Sequence, residues 1–460
     1  GELYGDYTLA LAVTGVLTIP ALLGLAPGVL PFLSKARQLG SMTEIRAVVR
    51  SSLLPVTCVS LILMALLYGS ASWLGENLFH KPELDRFLLP LGLLVIVGGL
   101  SGIVLMLLQG FLLVKERAWI ERVVAMGVTC VGMALTWYAG WGVQGVVVST
   151  LLGGLSCLVL AAALLAREVP GILRPSAAAG AWRVRRMLGE SWPMMGTSML
   201  AFLLLWTDVL LMGVFRESDE VGIYGACARL APLIMLVHES LGPIFIARLS
   251  DLYTGGDWAG IRHLYRFTAR WAMWPGLALS FLLAFWSTEL LSLFGPEFST
   301  GATVLIVLAG GKAVATSMGL SGRVFAVTGK ARINLINMLL LVGGNVVLNL
   351  LWIPTHGALG AAAATSICLA TVRSLQVAEL WLLFRILPWS RRCLIPVLGI
   401  SLLAGATYPF REGLPGRWGW LLPMGLFLAS CVLLFLLAGL GEEDRDVWRA
   451  VRGRLGARGK

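Results

Sequence analysis

The stretch Phe87-Leu88-Leu89-Pro90-Leu91-Gly92-Leu93-Leu94-Val95-Ile96-Val97-Gly98-Gly99-Leu100-Ser101-Gly102-Ile103-Val104-Leu105-Met106-Leu107-Leu108-Gln109-Gly110-Phe111-Leu112 contains no charged side chain. At 1.5 Å per residue it is longer than the ~20 helical residues that cross the hydrocarbon core of a bilayer. A helix apolar on every face is stable only where the solvent is itself apolar. Pro90 and the glycines would weaken such a helix in water, whereas packed membrane helices tolerate both residue types.

Runs of the same kind recur on either side. Windows of ~19 residues place spans at 6–30, 52–72, 87–112, 122–140, 142–165, 191–213, 222–247, 268–290, 301–325, 333–353, 358–384, 393–410 and 418–440. The composition agrees: 460 residues, 58% hydrophobic, 13% charged, with a mean hydropathy of +0.84. A soluble domain carries about a quarter charged residues. The reading is an all-α polytopic membrane protein of about thirteen transmembrane helices.

The seven cysteines form no CxxC pair and lie in or beside apolar runs. They read as small hydrophobes rather than as a disulfide framework or metal site.

Net charge is +11, and the placement of the charge excludes nucleic acid as its reason. One set of alternate connections carries 27 Lys and Arg, among them Lys35, Arg46, Lys115, Arg167, Arg248, Lys330 and Arg391; the other set holds Lys81, Arg86, Arg216, Arg411 and Arg417. That asymmetry puts the basic connections and the C-terminus in the cytoplasm and the chain, as a multi-pass protein, in the cell (inner) membrane. The basic side also attracts anionic headgroups, so membrane lipids are partners. Tryptophans such as Trp73, Trp141, Trp352 and Trp418 sit near span ends, as an aromatic belt requires. Val447, Val451 and Leu455 in the tail read either as one face of a surface helix or as part of a frayed end.

With the tail cytoplasmic, thirteen spans start the chain outside, immediately after what would be an outward-going helix. The expectation is a parent of fourteen spans whose first is absent from this sequence.

Three short matches reveal a duplication. Tyr4-Gly5-Asp6-Tyr7 resembles Val221-Gly222-Ile223-Tyr224 at an offset of 217. Lys115-Glu116-Arg117-Ala118 resembles Thr328-Gly329-Lys330-Ala331 at 213, and Gly142-Val143-Gln144-Gly145 resembles Gly357-Ala358-Leu359-Gly360 at 215. Each pair stands at the same place relative to a span and on the same side, so the repeat is parallel. Two such halves, with a site between them, are a transporter design. The expected regions are a first-lobe bundle over 1–186 lacking its first helix, a second-lobe bundle over 187–390, two appended helices over 391–440 and a basic cytoplasmic tail over 441–460.

The run Glu220-Val221-Gly222-Ile223-Tyr224-Gly225-Ala226-Cys227-Ala228-Arg229-Leu230 resembles the opening of the second lobe in polysaccharide flippases. So do Thr328-Gly329-Lys330, Asn345 through Asn349, Ile353-Pro354 and Gly357 through Thr365. On these residues the chain resembles the Wzx-like polysaccharide and lipid-linked oligosaccharide flippases of the multidrug/oligosaccharidyl-lipid/polysaccharide exporter superfamily. The resemblance implies two six-helix lobes about a central cavity and two extra C-terminal helices. It also implies, as substrate, an undecaprenyl-diphosphate-linked oligosaccharide moved from the cytoplasmic to the outer leaflet, with other polysaccharide-assembly membrane proteins as partners. No cofactor is implied.

Ionisable residues at bilayer depth are functional hypotheses by default, since each costs about 2.5–3.5 kcal/mol to insert. Asp208 and Arg229 fall about 8 and 10 Å below the same end of neighbouring spans. They read either as a structural pair or as a substrate-facing Arg229 oriented by Asp208, and a paired guanidinium keeps donors for a phosphate. Lys312, about 16 Å in, reads as substrate-binding or as snorkelling within the bundle. Arg373 has Gln376 and Glu379 on its own helix face and reads as locally paired or substrate-binding. His238 and Glu239 are adjacent, point to different sides of their helix, and read as a packed polar pair or as the site of ion coupling. Arg323 and Glu379 read as boundary anchors, and Asn334, Asn337, Asn345 and Asn349 as interhelical bonds.

Two rival functions are weighed. A multidrug or small-molecule cation-coupled exporter of the same superfamily would call for acids in the first lobe, whose apolar cores hold almost none. A membrane enzyme would need a nucleophile–base site. The four histidines (His80, His238, His263, His356) form no catalytic or metal-binding spacing.

Overall fold

A computed structural model of the chain describes residues 1–171, 181–389, 393–407, 409 and 419–439. The tail over 441–460 lies outside the described residues. Among those described, every regular element is a helix. Eight helical stretches are long and apolar enough to cross a membrane: Met42–Leu78, Pro82–Gly110, Val114–Tyr138, Gly142–Glu168, Ser198–Phe215, Ser218–Thr254, Pro296–Ser317 and Arg332–Phe384.

The chain forms two compact units, Gly1–Gly222 and Ile223–Lys460. The first opens with α1 (Glu2–Ala21) and α2 (Leu25–Gln38), followed by α3 (Met42–Trp73) and α4 (Asp85–Gly110). After α5 (Val114–Ala118) come α6 (Ala125–Tyr138), α7 (Gly142–Glu168) and α8 (Ala181–Phe215). Ser41 starts α3 by accepting from the Glu44 N–H at 3.3 Å, a Ser-x-x-Glu start signal. The core gathers Leu25, Val29 and Leu33 against Val48, Val49, Ile103 and Leu107. Because α8 packs on α1, α2 and α3, this unit runs beyond position 186, where the sequence reading divides the lobes.

The second unit takes up α9 (Ser218–Leu230), then α10 (Leu236–Thr254) and α11 (Trp258–Phe285). It continues through α12 (Ser287–Ser292), α13 (Ala302–Ser317), α14 (Ser321–Val327) and α15 (Ala331–Phe384) to α16 (Leu394–Thr407) and α17 (Leu421–Leu434). The 54 residues of α15 are two helices folded at Gly357, whose φ of 54° and ψ of −133° break the helical path. Its counterpart in the first half, Gly142, has φ 55°. The duplicated glycine thus has a positive φ in both halves, which a Cβ would oppose.

Four expected spans are not continuous helices; one of them, 268–290, breaks at Trp286 between α11 and α12. The 6–30 segment breaks between α1 and α2, where Leu23 and Gly24 have φ 52° and 66°. The 222–247 segment breaks in a 3₁₀ turn over Ala231–Met235 with Pro at its start, because Pro232 has no N–H to continue the α ladder. The 301–325 segment breaks at Met318–Leu320, where Gly319 has φ 69°.

Apolar side chains turned away from the core include Leu61, Ile62 and Leu66 of α3 and Leu350 and Leu351 of α15. None of the residues of α6 is buried. Such surface is a liability in water and the expected solvent-facing surface in lipid. All seven cysteines are free. Five are buried, as expected of small hydrophobes; Cys58 and Cys130 are instead exposed on their helices.

Candidate functional site

The break between α13 and α14 exposes carbonyls that a continuous helix would use. Three side chains from three elements take them. Trp389 Nε1 donates to the Ser317 oxygen at 3.1 Å, the Tyr265 hydroxyl to Met318 at 2.8 Å, and His238 Nε2 to Gly319 at 3.2 Å. Irregular backbone at membrane depth persists only where protein or a water-filled cavity satisfies it. Since a carbonyl can only accept, Nε2 carries a hydrogen, which leaves Nδ1 of the His238 ring as the position free to gain or lose one.

Beside this break lies a cluster of charge. Glu239 Oε2 accepts from Arg323 Nη2 at 2.6 Å, while Glu239 Oε1 faces His238 Nδ1 at 3.5 Å. His238 is 2% exposed and Glu239 58%, so the two do point to different sides of α10, one into protein and one outward. Arg373, on the second limb of α15, is within electrostatic range of Glu239 and Tyr265. Its Nη1 donates to Gln376 Oε1 at 3.1 Å. The Ser321 hydroxyl donates to that same oxygen at 2.8 Å. Arg373 Nε is buried without a hydrogen-bond partner among the described residues.

The two limbs of α15 are tied by polar pairs. Asn345 donates to Thr365 at 2.9 Å, Gln376 to Asn334 at 3.5 Å and Asn337 to Glu379 at 2.6 Å. Asn334, Asn337 and Asn345 therefore bond across the two limbs, while Asn349 donates to Asn345 on its own limb at 3.1 Å. Arg323 and Glu379 are each engaged with a side chain of another helical segment. Arg323 and Glu239 are 84 residues apart, and no local spacing signals that pairing.

The other expected residues are dispersed. Lys312 is half-buried on α13, one and a half turns before the break. Arg229 is exposed in the last turn of α9, where a cation also complements the helix dipole. Asp208 is 4% exposed on α8. Asp208 belongs to the first unit and Arg229 to the second.

Two cavities of ≈ 400 Å³ accompany these groups. One, in the second unit, is lined by Trp271, Trp274, Pro275, Leu428 and Phe435 and is apolar. The other, in the first unit, is polar and lined by Asp6, Lys81, Glu217 and Ser218, among others. There the Ser218 hydroxyl donates to Asp6 Oδ1. Lys81 Nζ is buried without a hydrogen-bond partner among the described residues. Burial pushes the Lys81 ammonium down to about 8, against the pull of Asp6 and Glu217. Sequence reading counts Lys81 only as orientation charge. The signal for this pocket is Asp6, which stands inside the duplicated Tyr4-Gly5-Asp6-Tyr7 motif.

Broken helices with charged side chains converging on the break define a polytopic membrane transporter. Residues 1–264 match the family model described as polysaccharide biosynthesis protein, and the chain belongs to that family. It is 24% identical over 372 residues, 80% of this chain and 74% of the other, to a probable low-salt glycan biosynthesis flippase, Agl15, of Haloferax volcanii. Among solved structures, its fold is similar to the lipid II flippase MurJ in an inward closed conformation. That likeness has a TM-score of 0.73 and 13% identity, covering 94% of this chain and 92% of that one. It is also similar to an inward-facing multidrug resistance MATE family transporter of the MOP superfamily. There the TM-score is 0.66 and the identity 15%, over 83% of this chain and 93% of that one.

Proposed function

We propose that this protein is a flippase that moves an undecaprenyl-diphosphate-linked oligosaccharide from the cytoplasmic to the outer leaflet for polysaccharide assembly. It sits in the cell membrane with its basic connections cytoplasmic, works by alternating access of its two lobes, and carries no catalytic chemistry. The observation that carries the reading is Arg373. It is a guanidinium whose Nε is buried and uncommitted beside a broken helix, in a chain of the polysaccharide biosynthesis family. A phosphate is the ligand for which such a donor is suited.

Arg229 and Lys312 extend the cationic surface for the diphosphate. His238 and Glu239 couple transport to an ion. The apolar cavity beside Trp271 and Trp274 offers a seat for the prenyl chain, which needs apolar contact and no hydrogen bonds. The same fold serves multidrug transporters. The cationic groups of this site suit an anionic substrate better than a cationic drug.

Deleting the gene should abolish surface glycan and leave lipid-linked oligosaccharide in the cytoplasmic leaflet. Arg229→Ala, Lys312→Ala and Arg373→Ala in the full-length chain should each lower export ~10-fold or more, with membrane insertion intact. Normal surface glycan in the deletion strain would refute the flippase reading. Normal export in all three variants would refute the site alone.

A further inference from the structure

The two oxygens of the Glu239 carboxylate face two different nitrogens. Oε2 holds Arg323 at 2.6 Å and Oε1 lies 3.5 Å from His238 Nδ1. His238 Nε2 is already committed to the Gly319 carbonyl, so a proton arriving at the ring lands on Nδ1, directed at Glu239. The charged and titratable groups around this carboxylate are His238 on α10, Arg323 on α14, Arg373 on α15 and, next to Arg373, Tyr265 on α11. The turn Ala231–Met235 contributes none. With the Glu239 side chain 58% exposed, water and protons reach it.

Arg323 reaches Glu239 across Gly242, one turn on along α10. A Cβ at Gly242 would lie 1.2 Å from Arg323 Nη1 and 1.9 Å from its Cζ. The guanidinium therefore lies against the Gly242 backbone, and a side chain there forces it to move.

We propose that Arg323 is the built-in competitor of the coupling proton, and that Gly242 is the positioning residue that admits it to Glu239. With His238 neutral, Arg323 holds the carboxylate and ties α10 to α14. A proton on Nδ1 gives Glu239 a second cation, weakens its hold on Arg323 and loosens the tie between the two half-helices below their breaks. This rests on the assignment of His238 and Glu239 as the coupling pair, and it adds Arg323 and Gly242 to that pair.

The test follows His238 by ¹⁵N-histidine NMR of the full-length protein in nanodiscs, with His238→Gln assigning its signal among the four histidines. Gly242→Ala and Arg323→Met should each move the His238 titration midpoint to higher pH by about half a unit or more, because the competing cation is gone. Glycan export should show the same displacement in its pH profile. Adding Gly242→Ala to Arg323→Met should change neither readout by more than ~2-fold, since both act through one contact. A wild-type midpoint in Arg323→Met, which leaves the backbone at Gly242 untouched, would overturn the proposal. So would fully additive effects in the double variant. Because the NMR readout needs no transport, a displaced midpoint in a protein that moves no glycan would count against the flippase reading and leave this one standing.

Discussion

Gly5 and Gly222, equivalent positions of the internal repeat, pack backbone against backbone. A Cβ on Gly222 would lie 3.0 Å from the Gly5 nitrogen and 2.8 Å from the Gly1 carbonyl oxygen. A Cβ on Gly5 would lie 1.7 Å from the Ser218 carbonyl oxygen. Membrane helices approach most closely where both present small residues, because packing rather than hydrophobic exclusion holds them together.

Substitution at this contact should therefore destabilise the protein. Gly5→Ala meets a backbone atom that cannot swing away and should cost ~1–3 kcal/mol, read as a lower Tm in detergent. Gly222→Ala should cost less, since its clash distances are longer. Equal or unchanged Tm values would mean that the two helices separate freely at this point.

Lys81 makes a prediction about pH. Its ordinary value is 10.5, and burial holds it at about 8. Between those two values the unfolded chain binds a proton that the folded chain does not, so this group makes stability rise with pH. Below pH 8 the ammonium is charged in both states and the cost of burying it is fully present. Lys81→Met should remove that dependence, so the Tm difference between variant and wild type should change steadily from pH 8 to pH 10. A difference that does not vary with pH would show Lys81 to be an ordinary surface lysine.

The fold of α15 at Gly357 makes a third. Asn345 and Thr365 face each other across the two limbs at 2.9 Å. A double-mutant cycle with Asn345→Ala and Thr365→Ala should give a coupling of ~0.6 kcal/mol, the usual size for a hydrogen bond between membrane helices. A coupling near zero would place the stability of this hairpin in its apolar contacts alone.

The all-helical membrane character and the duplication were legible in the chain, because each depends on residues near one another. A run such as 87–110 is long and apolar enough to cross a membrane as one helix. Gly142 and Gly357 were legible as a pair from local pattern alone, and both take a positive φ. The breaks were less so. Pro232 marks one of them, but Leu23 carries no sign that its φ is 52°.

The site was legible only in part. Arg373, His238 and Glu239 stand out as ionisable groups inside apolar runs, since the cost of placing charge in lipid makes each conspicuous. Arg323 stands out equally, yet its role was not readable. A carboxylate's partner is set by where helices cross, not by spacing along the chain. Lys81 was the converse case: a loop lysine, unremarkable in sequence, that the fold buries.

The sequence by itself determined that this protein lives in a membrane as a duplicated bundle of helices, because hydropathy and repeat are properties of contiguous residues. Only the tertiary structure decided which charges meet. Pairings such as Arg323 with Glu239 over the bare backbone of Gly242, or Lys81 beside Asp6, join residues far apart in the chain. Their energies depend on distance and burial, which exist only once the helices have packed.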